Sequence, residues 1–268
     1  MFEYDFMRTA FAACGVAGAL AGFVGYFLVL RGQTFAGHAL SHVGFTGATG
    51  AALFGISPLA GLIAFTVLAG VAMGFIGEKL SERDVAIGMM LSLALGLGLL
   101  FLHFYTSAAT RAAALLFGNV LGVDDNALIT LAVLAVLSLA ALAFIARPLI
   151  FASLQAELAE ARGVPMRLVS VAFLAIVAIA VSECAQIVGV LLVFTLMVGP
   201  AAAAQNFSRR LATGVGLSVV FALAEAWLGL TLAYYTDWPV SFWITAVSGA
   251  LYLGSLGWVR AGGRTAPG

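Results

Sequence analysis

Charge is scarce in this chain of 268 residues: Asp, Glu, Lys and Arg together make up 9%, against 63% hydrophobic residues. A soluble domain usually carries roughly 25% charged residues, so a water-exposed globule is excluded and the bilayer is the expected solvent. Lysine occurs once, as Lys79 after Glu78, so there is no GxxxxGK[ST] phosphate loop and the chain is not itself an ATPase. HExxH, GxSxG and CxxC are absent too, which removes the familiar hydrolytic and redox-metal sites; no catalytic residue is expected. The two cysteines, Cys14 and Cys184, lie in apolar runs and read as small buried hydrophobes, not as a disulfide or thiolate ligands. With a formal net charge of zero, no nucleic-acid partner is expected.

What remains is a series of apolar runs of about 20 residues, each long enough as a helix to cross a hydrocarbon core about 30 Å thick. They read as residues 8–30, 34–54, 57–77, 85–104, 126–146, 168–186, 187–205, 211–235 and 240–259. The runs on either side of Gly189 are short, and one of them reads equally as re-entrant. The expected fold is an all-α membrane protein, a polytopic bundle of eight or nine transmembrane helices forming one domain over 1–268.

Basic residues hold short loops on the cytoplasmic side. Nine spans with the N-terminus outside leave only Arg8 and Arg111 of the 12 basic residues outside. The C-terminus is then cytoplasmic. Glu3 and Asp5 stand where a signal peptide would be basic, and the first apolar run is long enough to span, so direct insertion is expected.

Gly18 with Gly22, Gly70 with Gly74, and Gly44, Gly47 and Gly50 each mark a helix face on which backbones can approach closely. The segment at about 147–167 breaks the apolar pattern on the cytoplasmic side with Arg147, Pro148, Glu157, Glu160, Arg162 and Pro165. It reads as a short helix capped by Ser153 and ended by Gly163 and Pro165, or as an ordinary connecting loop. On the outer side, Ala112 to Phe117 suggest an interfacial helix. Tyr234, Tyr235, Trp238 and Trp243 are placed as interface aromatics around Pro239. The turn Glu78, Lys79, Ser81, Glu82, Arg83 and Asp84 reads as structural, with Ser81 and Asp84 at capping-box spacing.

His38 and His42 are four apart on one helix, so both imidazoles can approach one cation. The alternative is that each hydrogen-bonds a neighbouring helix, yet polar groups within a membrane are usually placed for function. Imidazole pairs suit zinc, whereas manganese sites more often contain carboxylates. Ser41 and Gln33 are at most weak ligands. Two histidines are incomplete for tight tetrahedral binding, which suits passage better than storage. Glu183 and Glu225 are the two intramembrane carboxylates and read either as lining a polar path or as structural hydrogen-bonding groups. His103 reads as an interface residue.

Four segments carry a family resemblance: LVLRGQTFAGHALSHVGFTG at 28–47, RDVAIGMMLSLALGLGLL at 83–100, ALLFGNVLGV at 114–123, and AELAEARGV followed by IVGVLLVFTLMVGPAAAAQ from 156 to 205. In order and spacing they resemble the ABC-3 family of zinc and manganese permeases. The resemblance implies a permease homodimer in the bacterial cytoplasmic membrane, with a cytoplasmic ATPase subunit that binds the ATP and an extracytoplasmic metal-binding protein docking outside. No tightly bound cofactor is implied; the metal is cargo. The family's usual D-A-L-S-H has its acidic residue and histidine at positions held here by His38 and His42. A second imidazole in place of an oxygen ligand tilts the expected cargo toward zinc, with manganese or iron as the alternative. The segment around Glu157, Ala159 and Gly163 resembles the family's coupling helix, and Pro200 is expected to interrupt or bend its helix near a gate. A stand-alone secondary transporter using Glu183 and Glu225, or an intramembrane metalloenzyme, would need no ATPase partner.

Overall fold

The computed structural model describes residues 4–76, 80–104 and 116–263, and for residues 80–82 and 263 the backbone alone. The described helices are α1 (Asp5–Leu30), α2 (Thr34–Leu53), α3 (Pro58–Phe75), α4 (Leu80–His103), α5 (Asp125–Leu154), the short α6 (Ala156–Ala161), α7 (Met166–Val188), α8 (Val193–Phe207), α9 (Leu211–Thr236) and α10 (Val240–Trp258). A single 3-10 turn, Val120–Gly122, precedes α5, and no strand occurs among the described residues.

Two helices form the centre. α1 packs against α5, α7, α8 and α9, while α7 packs against α3, α5, α1 and α2. Both are apolar nearly all round, the pattern of a helix buried on every side. α4 leans mainly on α2 and turns Met89, Leu93 and Leu99 outward; α5 does the same with Val136 and Phe144, and α10 with Leu253. So much exposed apolar surface is costly in water and ordinary against lipid.

Seven helices, α1, α3, α4, α5, α7, α9 and α10, are long and apolar enough to cross a membrane. Every run expected from the sequence contains a helix among the described residues, but α2 and α8 fall outside this set. α8 has 15 residues, about 22 Å at 1.5 Å per residue and so short of a full span. α2 has the length, but its glycines, threonines and histidines dilute its hydropathy.

The expected small-residue faces are contact faces. Gly18 and Gly22 meet α9, Gly70 and Gly74 meet α7, and Gly44 and Gly47 meet α3. Gly50 instead turns to Phe101 of α4. Gly47 and Gly61 approach so closely that a side chain on either would overlap the other's carbonyl.

Several local expectations are corrected. α5 does not end near residue 146 but continues through Arg147 and Pro148 to Leu154; proline withdraws a single backbone donor, and the helix tolerates that loss close to its end. Ser153 therefore lies inside α5, where its hydroxyl donates to the Leu149 carbonyl, and Gln155 precedes α6 without a side-chain cap. Gly163 does end α6: at φ +78 it lets Val164 N–H donate to Ala159 O at 3.0 Å and its own N–H to Glu160 O at 2.9 Å, a Schellman closure. α8 runs uninterrupted through Pro200 to Phe207. Ser81 lies within α4 and does not precede it; Glu78, Lys79, Arg111 and Ala112 to Leu115 lie outside the described residues.

α7 and α8 join through Gly189 at φ +83, which stacks on Gly118 at φ +79. The Asn119 N–H donates to Gln186 O and the Leu191 N–H to Leu116 O, both at 3.3 Å. The segment before α5 thus satisfies backbone groups left open where α7 stops.

Candidate functional site

α2 brings His38 and His42 together as its 3.6-residue repeat requires. Their ring centroids lie 4.7 Å apart with the planes at 82°. Both side chains are half-buried. The neighbouring Gly37 packs on Leu28 of α1, and the His38 ring meets Phe194 of α8 edge-on at 5.2 Å. Phe194 was not singled out from the sequence, where it is one aromatic in an apolar run.

Nδ1 of His38 is buried with no hydrogen-bond partner among the described residues. The alternative of a histidine whose ring nitrogens are satisfied by a neighbouring helix therefore does not hold for that atom. A buried imidazole nitrogen without a partner is either strained or awaiting a ligand, and neutral imidazole is a good ligand for divalent transition metals. No group of three or more His, Cys, Asp or Glu able to hold a metal occurs among the described residues. The Ser41 hydroxyl donates to the Gly37 carbonyl at 3.2 Å, so its proton is held within its own helix. The pair is a two-ligand contact, able to hold a cation loosely.

Glu183 and Glu225 are both almost fully buried, at 1% and 0% exposure, at separate helix contacts. Glu183 on α7 accepts a hydrogen bond from Ser138 of α5 at 3.3 Å through Oε1, while its Oε2 has no partner among the described residues. The adjacent Cys184 thiol donates to Ala17 O of α1 at 3.7 Å, so this cysteine is buried packing, as its run suggested. Glu225 on α9 faces the contact of α8 with α10, next to Gly199 and Ser248. Neither of its oxygens has a partner among the described residues, and the Ser248 hydroxyl donates to Thr195 O at 3.4 Å. Ser138 and Ser248 escaped the sequence reading, although a serine inside an apolar span was the available signal.

In α6, Glu157 is exposed and Ala159 is fully buried, with Gly163 exposed at the closing turn. A charged side chain thus projects from a short helix anchored by one alanine. His103 is exposed at the end of α4. Trp238 stacks on Trp243 at 5.6 Å, and the Trp243 indole donates to Thr236 at 2.8 Å.

A bundle of long apolar helices, with an open imidazole pair and buried carboxylates between them, defines a multi-pass membrane protein of the transport class. The chain belongs to the ABC 3 transport family, which matches residues 3–258. It is 27% identical over 235 residues to the manganese transport system membrane protein MntC of Listeria innocua, covering 87% of this chain and 84% of that one. The manganese import system permease protein ScaB of Streptococcus gordonii is 28% identical over 254 residues, with 94% and 91% covered. A probable iron transport system membrane protein of Haemophilus influenzae is 23% identical, with 96% and 95% covered. Among solved structures, PsaBC from Streptococcus pneumoniae in complex with Fab superimposes with a TM-score of 0.84 at 27% identity, over 94% of this chain and 91% of that one.

Proposed function

We propose that this chain is the membrane-spanning permease of an ATP-driven importer for a divalent transition metal, with manganese as the cargo. The observation that carries the reading is the half-buried His38–His42 pair, with its unpartnered Nδ1, in a chain of this family. Relatives named for manganese and iron support those metals over the zinc expected from the ligands. The geometry is compatible with that shift, because two imidazoles without a thiolate or third ligand discriminate weakly among divalent ions.

In this reading α1 to α5 and α7 to α10 all lie in the membrane with the N-terminus outside, and two copies of the chain enclose the path. His38 and His42 touch the ion transiently. Binding must be strong enough to admit the ion and weak enough to release it. Glu183 and Glu225 supply polar steps between helices. Glu157, Ala159 and Gly163 seat α6 against a separate ATPase subunit, and a metal-binding protein delivers the ion from outside.

The test is uptake of manganese, zinc and iron into metal-starved cells lacking this chain, with wild type or His38→Ala/His42→Ala restored. Manganese uptake rescued by wild type and lost in the double variant at equal protein level supports the proposal. Zinc-selective rescue overturns the cargo, and rescue by the double variant overturns the site.

A further inference from the structure

Nothing among the described residues hydrogen-bonds to Nδ1 of His38. The second torsion of a histidine is broad, so a ring without such a bond is oriented by what packs on it. Histidines that bind metals are usually aimed by a carboxylate, a carbonyl or water on the other ring nitrogen, and loss of that partner costs roughly 10–100-fold in metal affinity. At His38 something else has to do the aiming.

Two aromatic rings meet His38 among the described residues, both close to perpendicular: His42 at 4.7 Å and 82°, and Phe194 at 5.2 Å and 77°. The first belongs to the same helix and to the pair itself. The second comes from α8, where Phe194 is the second residue and is half-buried. α8 packs chiefly on α1, α9 and α10 and meets α2 only lightly. Phe194 therefore reaches across a sparse contact to touch the one histidine whose nitrogen is left open.

We propose that Phe194 is a positioning residue of the metal contact, its ring fixing the angle at which the His38 imidazole faces the cation it shares with His42. An edge-on aromatic contact orients a neighbouring ring through the electrostatics of the two π-systems and needs no hydrogen bond to Nδ1. The inference rests on the reading of His38 and His42 as the contacts of the ion. Its consequence is that the site is built from two helices, because its geometry depends on the start of α8 as well as on α2.

The test titrates manganese(II) into the purified full-length chain. Binding is read from loss of the free-ion electron paramagnetic resonance signal, and imidazole ligation from the modulation that a ligating nitrogen imposes on the spin echo. His38→Ala/His42→Ala sets the baseline, and wild type is expected to bind above it with nitrogen modulation. Phe194→Ala should weaken binding by roughly tenfold, as loss of a partner that aims a ligand does, and should reduce the modulation at equal occupancy. Phe194→Leu keeps apolar bulk for the fold and should shift both readouts in the same direction, whereas Phe194→Tyr keeps the ring and should behave as wild type. Phe207→Ala removes the same side chain from the far end of α8, where it meets Phe221 and Trp258, and should leave binding unchanged. Wild-type affinity and modulation in Phe194→Ala or Phe194→Leu would overturn the role. So would lost binding in Phe194→Tyr, or equal weakening by Phe207→Ala, which would make the effect a general loosening of α8. Failure of the metal reading itself looks different: wild type then binds no better than the double-histidine baseline.

Discussion

The His38 ring stands edge-on to the His42 ring at 4.7 Å while its own Nδ1 is buried without a partner. The pair is therefore held by packing and not by hydrogen bonds at that nitrogen, and the side chain at 38 is open to exchange for another ligand. His38→Asp restores the oxygen ligand that the family pattern usually carries there. The expected outcome is a higher ratio of manganese to zinc uptake in a competition assay, because carboxylate favours the harder ion. An unchanged ratio would mean that selectivity is set elsewhere, as by the external binding protein.

The stacked glycines at 118 and 189 predict a stability defect that side-chain chemistry alone does not suggest. At φ +83 and ψ 155, a region almost confined to glycine, an alanine in place of Gly189 costs on the order of 1–3 kcal/mol in backbone strain, and its Cβ would overlap the backbone of residues 116–118. Gly189→Ala should lower the melting temperature of the purified chain and its folded yield. Gly216 on α9 has open space and ordinary φ, so Gly216→Ala should be neutral or stabilising by up to about 1 kcal/mol. Equal behaviour of the two variants would remove the close approach as the cause.

The helices were legible because apolar runs of bilayer length carry their own signal, and each expected run contains a helix among the described residues. Their ends were less so. Pro148 and Pro200 read as breaks, but loss of one backbone donor is absorbed when the rest of the helix is packed, as Pro200 is between α1, α9 and α10. Ser153 has the composition of a cap and the position of an interior residue. At the site, His38 and His42 were visible because their spacing is local. Phe194, Ser138 and Ser248 were not, since each gains meaning only from a neighbour on another helix, 156, 45 and 23 residues away from His38, Glu183 and Glu225.

Ser138 provides the one described donor to the Glu183 carboxylate. Ser138→Ala leaves that oxygen buried and unpaired, and should cost roughly 1–3 kcal/mol. Adding Glu183→Gln, which replaces the carboxyl by a neutral amide, should recover part of the loss, so thermal unfolding of the two single variants and the double variant should be non-additive. Additive losses would show that the hydrogen bond carries no energy.

The α6 segment separates assembly from folding. Glu157 is exposed and has no ion pair among the described residues, so reversing its charge touches no buried contact. Such surface substitutions change stability by about 0.5 kcal/mol or less. Glu157→Arg should therefore leave the melting temperature of the isolated chain unchanged while lowering copurification of its ATPase and, with it, metal uptake. Ala159→Arg should fail differently. Ala159 is fully buried, and a guanidinium forced into its place would unseat α6 itself, lowering both stability and uptake. If Glu157→Arg leaves ATPase recovery and uptake at wild-type level, the coupling role passes from α6 to another exposed segment on the same side.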